Sequence, residues 1–125
     1  ENFFLYFEET DFCLRASKIK KNFQINTIKV RHNVGTSVQY ENHDKKEKLK
    51  DLYNWHFIWS KFYYFKKNYG FYFCLIYFFP IVLKTIFKIF INYLFKNKSS
   101  EKKYRIRLNG LISSIKGQKS HKRID

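Results

Sequence analysis

Apolar and polar positions follow two rhythms along this chain. From Thr10 to about Lys20, Phe12, Ala16 and Ile19 fall on one face at helical spacing, and Thr10 or a neighbouring carboxylate can cap the helix. From Phe23 to His32 the rhythm changes to a period of two. Ile28, Val30 and His32 share one face, while Thr27, Lys29 and Arg31 share the other, which predicts a strand. Phe23 and Ile25 have the opposite parity, so a bulge or break near Asn26 is expected. Asn33 to Ser37 reads as a loop, with Gly35 free to take positive φ. Asp44 then caps a longer helix reaching about Asn68. Glu47, Lys50, Asp51, Asn54, Lys61 and Asn68 form its polar face, its other sides are crowded with aromatic rings, and Gly70 marks a break.

The next segment changes character. Tyr69 to Leu83 is a run of 15 residues without a charge, and it contains Pro80. A spanning helix needs about 20 apolar residues, so the run is short. Beyond it, Lys84, Lys88, Asn92 and Lys96 recur every fourth residue, a polar stripe on an apolar helix from about Ile81 to Phe95. Carrying Lys84 and Lys88 into a bilayer centre would cost up to about 2.5–3.5 kcal/mol each. One or two helices lying in the membrane interface avoid that cost and are preferred to a true span, with an ordinary soluble core as the third reading. Asn97 to Lys103 reads as a polar linker. A last amphipathic helix carries Ile106, Leu108, Leu111, Ile112 and Ile115, weakened by Gly110 and Gly117, and the tail after it is expected to fray.

Charge divides the chain. Of 25 Lys and Arg against 10 Asp and Glu, six of each lie up to Asp44, which leaves 19 basic against four acidic residues from Lys45 onward. Codons of an AT-rich genome supply Lys, Asn, Ile, Phe and Tyr freely, but they do not explain this asymmetry. A neutral front and a basic, aromatic back imply two jobs, the second favouring an anionic membrane surface or nucleic acid. The 125 residues suffice for one modest domain. The absence of Met and the abrupt start suggest a piece of a longer protein, and the first residues lack the basic region and cleavage site of a signal peptide. Cys13 and Cys74 have no metal or redox spacing and read as buried thiols in a reducing compartment, not as a disulfide.

The candidate chemistry sits at the front. Glu8, Glu9 and Asp11 crowd behind an apolar run in "FFLYFEETDFCLR". Clustered carboxylates serve a metal, proton transfer, or simply a helix start. This stretch resembles a motif of family-2 glycosyltransferases, especially rhamnosyltransferase-like members. There an aromatic run leads into an acidic pair, an Asp and a Leu-Cys-Leu-Arg segment. "RHNVGTS" (Arg31 to Ser37) resembles the family's His-x-x-Gly-x-Ser segment, and "NWHFIWSKFYYFKKNYG" (Asn54 to Gly70) its downstream aromatic, basic helix. "RLNGLISSIKGQ" (Arg107 to Gln118) is similar to its common C-terminal ending with two spaced glycines.

The resemblance implies an α/β GT-A fold whose nucleotide-binding half, with its Asp-x-Asp, lies upstream of Glu1. The covered part would then be mostly helical with a short strand or two. Residues 1–44 would end the catalytic domain on its acceptor side, and residues 45–125 would form a basic, aromatic helical extension associated with a membrane. It further implies inverting transfer of a sugar from a nucleotide-diphosphosugar to a saccharide or polyprenyl-linked acceptor, in cell-surface polysaccharide synthesis. The place of action would be the cytoplasmic face of the inner membrane, peripherally, with Mg2+ or Mn2+ bound chiefly by upstream residues. Glu9 stands where the family's catalytic acid, often Asp, is found, and Glu8 and Asp11 are the alternatives. Asp11, at a helix N-terminus, would be the weaker base and the better cap or hydroxyl ligand. His32 matches a position that ligates metal in some relatives; otherwise it is a core or loop histidine. Arg15 could orient Glu8 or Asp11, or lie solvated on the helix. Trp55 and Trp59, four apart, form either a stacking wall for the acceptor or helix packing.

The residues also support the chemistry independently. A base must take the proton of the attacking hydroxyl, and a carboxylate within hydrogen-bond reach does so. The rival class is a small basic protein without catalysis, on a membrane surface or on single-stranded nucleic acid. No RNA- or DNA-binding motif supports the nucleic-acid version, and the aromatics sit in apolar runs instead of alternating with basic residues.

Overall fold

The most aromatic run of the sequence becomes the central helix. In the computed structural model, which describes residues 2–29 and 43–123, helix α1 covers Glu8–Ser17 and α2 covers His43–Tyr69. Helix α3 covers Phe71–Leu94 and α4 covers Lys98–Ile115. Helices α2 and α3 form an antiparallel hairpin. Gly70 makes the turn at φ 90°, ψ 162°, a conformation closed to side-chain-bearing residues, and the core edge contact Phe62–Phe78 (5.1 Å) and the stack Phe65–Tyr77 (5.0 Å) tie its arms. Helix α4 returns parallel to α2, as the pairs Asp51–Lys102, Asn54–Arg107 and Trp59–Ser114 show. Ile58, Phe62, Cys74, Phe78 and Leu111 make the three-helix core, flanked by Phe65, Ile81, Val82 and Ile115.

The α2–α4 seam is close because Gly110 faces it. A Cβ there would lie 2.6 Å from the Trp55 carbonyl oxygen and 3.0 Å from Ile58 Cγ2. Gly117 ends α4 in the left-handed region at φ 72°. The amide of Gln118 donates to Ser113 O at 3.0 Å and that of Gly117 to Ser114 O at 3.1 Å, the paired bonds of a Schellman cap. The two glycines therefore build the seam and the cap, where the sequence suggested only a weakened helix.

Several expectations change. Among the described residues there is no strand: residues 23–29 are irregular, with Phe23, Ile25 and Ile28 exposed, and the rest of the expected strand and the Asn33 to Ser37 loop lie outside them. The fold of the described residues is all-helical. Helix α1 starts at Glu8 and stops at Ser17, so Thr10 is inside it and caps nothing; Phe7 precedes it in the left-handed region. The face with Phe12 and Ile19 points outward, and the buried residue of α1 is Asp11. Cys74 is buried as expected, but Cys13 is exposed. The two apolar segments around Pro80 form one helix of 24 residues, about 36 Å long. Most of the expected linker is the first turns of α4, capped by the Asn97 side chain, which accepts from the Ser100 amide at 3.2 Å.

The tail does not fray within the described residues. Trp59 Nε1 donates to Gln118 O at 3.1 Å, Ser120 Oγ pairs with His56 Nδ1 at 3.0 Å, and Arg123 lies 3.7 Å from the centre of the Phe4 ring. Residues 118–123 thus strap across α2.

Candidate functional site

The N-terminal aromatic run carries the acidic cluster to its place. Ser60 Oγ on α2 donates to Leu5 O at 2.7 Å, Phe3 packs edge-on to Tyr63, and Phe7 packs against Tyr64. These contacts pin residues 3–7 along α2, and α1 begins where the run ends. The three carboxylates then separate. Asp11 is buried, 3 % exposed, and its oxygens accept from Lys67 Nζ at 2.6 and 2.8 Å and from Arg15 Nε at 3.0 Å. Burial alone would raise its pKa; the bonds from Lys67, Arg15 and Asn68 outweigh burial and hold the carboxyl below the usual range. Glu8 and Glu9 stay exposed on the first turn, near the positive end of the helix.

A cavity of about 280 Å³ lies between the N-terminal run, α2 and α4, lined by Tyr6, Lys50, Tyr53, Asn54, Phe57 and Arg107. Tyr6 packs edge-on to Tyr53 and Phe57. Burial pushes its phenol pKa up, with smaller contributions from Tyr53 and the Glu8 charge.

Trp55 and Trp59 are 1 % and 2 % exposed. Their rings stack with each other, Trp59 also stacks with Tyr63, and the Trp55 indole donates to Asn109 Oδ1 at 2.8 Å. The fold uses them for packing under α4 and the tail, not as an open wall. Arg15 takes the orienting role, toward Asp11 and not Glu8. His32 lies outside the described residues.

Among the described residues no group of three or more His, Cys, Asp or Glu side chains could hold a metal ion. Asp11 is already saturated by two cations, and two exposed carboxylates alone do not enclose a divalent ion. The described residues alone therefore do not form a divalent-metal site; the resemblance assigns the main ligands to residues upstream of Glu1, and His32 lies outside the described residues.

Sequence reasoning missed Lys67 as the partner of Asp11, Asn54 and Arg107 as cavity residues, and the role of His56. His56 is fully buried. Its Nε2 is 2.9 Å from Lys122 O, so this nitrogen carries the proton and Nδ1 accepts from Ser120 Oγ. No local pattern announces pairings across more than 50 residues. The quoted blocks held a weaker signal, since the three blocks within the described residues meet on α2, through Ser60–Leu5, Lys67–Asp11 and Trp55–Asn109.

No family model matches this chain, and no curated protein and no solved structure matches it.

Proposed function

We propose that this chain supplies the acceptor side of an inverting family-2 glycosyltransferase of GT-A fold, seated peripherally on the cytoplasmic face of a membrane. The observation that carries the reading is the separation of the three carboxylates. Asp11 is consumed by Lys67 and Arg15, which leaves Glu9 and Glu8 open on the first turn of a helix that begins two residues after the cavity-lining Tyr6. Glu9, which stands in the family's catalytic place, is the base. Its carboxylate takes the proton of the acceptor hydroxyl as that oxygen bonds to the anomeric carbon, and the bond to the nucleoside diphosphate breaks with its electron pair on the leaving group. Attack from the far side inverts the centre. The donor and its metal are assigned to residues other than those described here.

Helix α3 supports the membrane seat. Tyr72, Ile76, Phe79, Leu83, Phe87 and Phe90, spaced three and four apart, are all exposed and form a charge-free stripe along its outer face. Its inner face is held by α2 and α4, where Lys88 Nζ donates to the Tyr104 hydroxyl at 2.9 Å. A span would drag Lys84, Lys88 and the basic helix α4 into hydrocarbon, so the helix lies flat.

The test is sugar transfer by the protein that contains this chain, with a panel of nucleotide-diphosphosugars and membrane-extracted acceptors. Glu9→Gln should lower turnover about 10²–10⁴-fold with donor binding retained, while Glu8→Gln should cost far less. Near-normal turnover of Glu9→Gln would overturn the assignment. No transfer with any donor would leave a membrane-surface protein without catalysis.

A further inference from the structure

The cavity between Tyr6, α2 and α4 has a chemistry that the transfer reaction does not use. Two of its six lining residues are cationic, Lys50 from α2 and Arg107 from α4, and neither has an acidic partner within 4 Å among the described residues. Arg107 is held in place. The Asn54 amide donates to Lys50 O at 2.8 Å and accepts from Arg107 Nε at 3.0 Å, which fixes the amide and leaves the two terminal guanidinium nitrogens without a side-chain partner among the described residues. Tyr6 and Tyr53 add phenols, and Phe57 closes the wall with apolar surface. A larger neighbouring hollow of about 660 Å³ shares Lys50 and Asn54 with it and adds Lys98, Lys102 and Lys103 together with Glu47 and Asp51, Lys102 being paired to Asp51 at 2.8 Å. The lining of the smaller cavity holds no acidic residue, so Lys50 and Arg107 meet no carboxylate inside it.

We infer that the smaller cavity binds a phosphate-bearing group, with the Arg107 terminal nitrogens forked onto two phosphate oxygens, Lys50 as a second cation, and the phenols as further donors. A rigid, planar guanidinium suits two oxygens of one phosphate, and a flexible ammonium suits a third. The volume exceeds that of a single phosphate and leaves room for a diphosphate or the first ring of an attached sugar. The group can be a lipid headgroup or the phosphate of a soluble or acceptor molecule. The inference goes beyond glycosyl transfer, because binding is measured on this chain with no donor present.

The experiment is a calorimetric titration of the 125-residue chain with inorganic pyrophosphate at low salt. In parallel, it is co-sedimented with phosphatidylcholine vesicles with and without phosphatidic acid. Arg107→Ala and Lys50→Ala are compared with Lys116→Ala, which removes an exposed charge elsewhere. Lys50 is exposed, so its variant tests the site even if Arg107→Ala unfolds. Each cavity variant should weaken pyrophosphate binding about tenfold, and Lys116→Ala should not. Weakening with pyrophosphate alone assigns the site to a soluble or acceptor phosphate. Weakening that extends to phosphatidic acid vesicles, or is confined to them, assigns it to a headgroup. Equal affinities for the unaltered chain and all three variants, in both assays, would overturn the inference and leave binding to net charge.

Discussion

His56 shows how much one side chain can commit. It is fully buried between Trp55, Phe4 and the tail, with both ring nitrogens engaged. Burial lowers its pKa from the ordinary 6.5, against the raising effect of its bond to Lys122 O, and the charges of Arg123, Lys122 and His121 lower it further. The folded value is depressed, so the unfolded chain binds the proton more tightly. The stabilisation is full above 6.5 and is lost as pH falls through the lower folded value. Each unit of depression is worth about 1.4 kcal/mol. Thermal unfolding followed by circular dichroism should show Tm falling between about pH 7 and about pH 5, and His56→Gln should remove most of that fall. An unaltered Tm across this range would show that His56 holds no such proton linkage. Asp11, also depressed, acts only at more acid pH, below its ordinary 3.8.

Between elements, the close approach at Gly110 makes a prediction of unusual sign. Alanine in a helix interior ordinarily stabilises by about 0.5–1 kcal/mol over glycine. Here its methyl would meet the Trp55 carbonyl at 2.6 Å, backbone that cannot swing aside. Gly110→Ala should therefore lose about 1–3 kcal/mol, read as a lower urea midpoint at unchanged slope; a raised midpoint would show that the seam has room. The helices themselves were legible in the sequence. The start near Asp44, the break at Gly70 and the apolar run beyond it correspond to α2 and α3, because periodicity and glycine act locally. The α1 face was misread because an apolar stripe predicts burial only where a partner surface exists, and α1 docks through Asp11 on Lys67. The capped start of α4 was misread as a linker because Lys and Ser looked like solvent-facing filler, although Asn97 and Ser100 have cap spacing. For the site, the exposure of Glu8 and Glu9 could not be separated from the burial of Asp11 by spacing alone. That difference is made by a lysine 56 positions away.

At the scale of the whole molecule the exposed outer stripe of α3 is the feature on which the proposed membrane seat depends. Burying one such side chain is worth about 1.5–3 kcal/mol, and each basic residue near an anionic surface adds about 1 kcal/mol. The double substitution Ile76→Glu and Phe87→Glu, at positions 77 % and 64 % exposed, should leave the fold intact and weaken co-sedimentation with anionic vesicles at least about 100-fold. Binding equal to that of the unaltered chain would remove α3 from the contact. High salt and alkaline carbonate should release the protein from native membranes at least partly; full resistance to both would mark a spanning helix instead. The parallel course of α2 and α4 reaches further, into the order of events during synthesis. Two parallel helices cannot meet until the helix between them has been made and folded back. Trp55, Trp59 and His56 leave the ribosome early, yet their covers are Asn109, Gln118 and Lys122. Until those late residues emerge, the growing chain exposes two indoles, an imidazole and the face of α3 that α4 later covers. With the proposed membrane seat, the same surface would shelter the nascent protein at that moment.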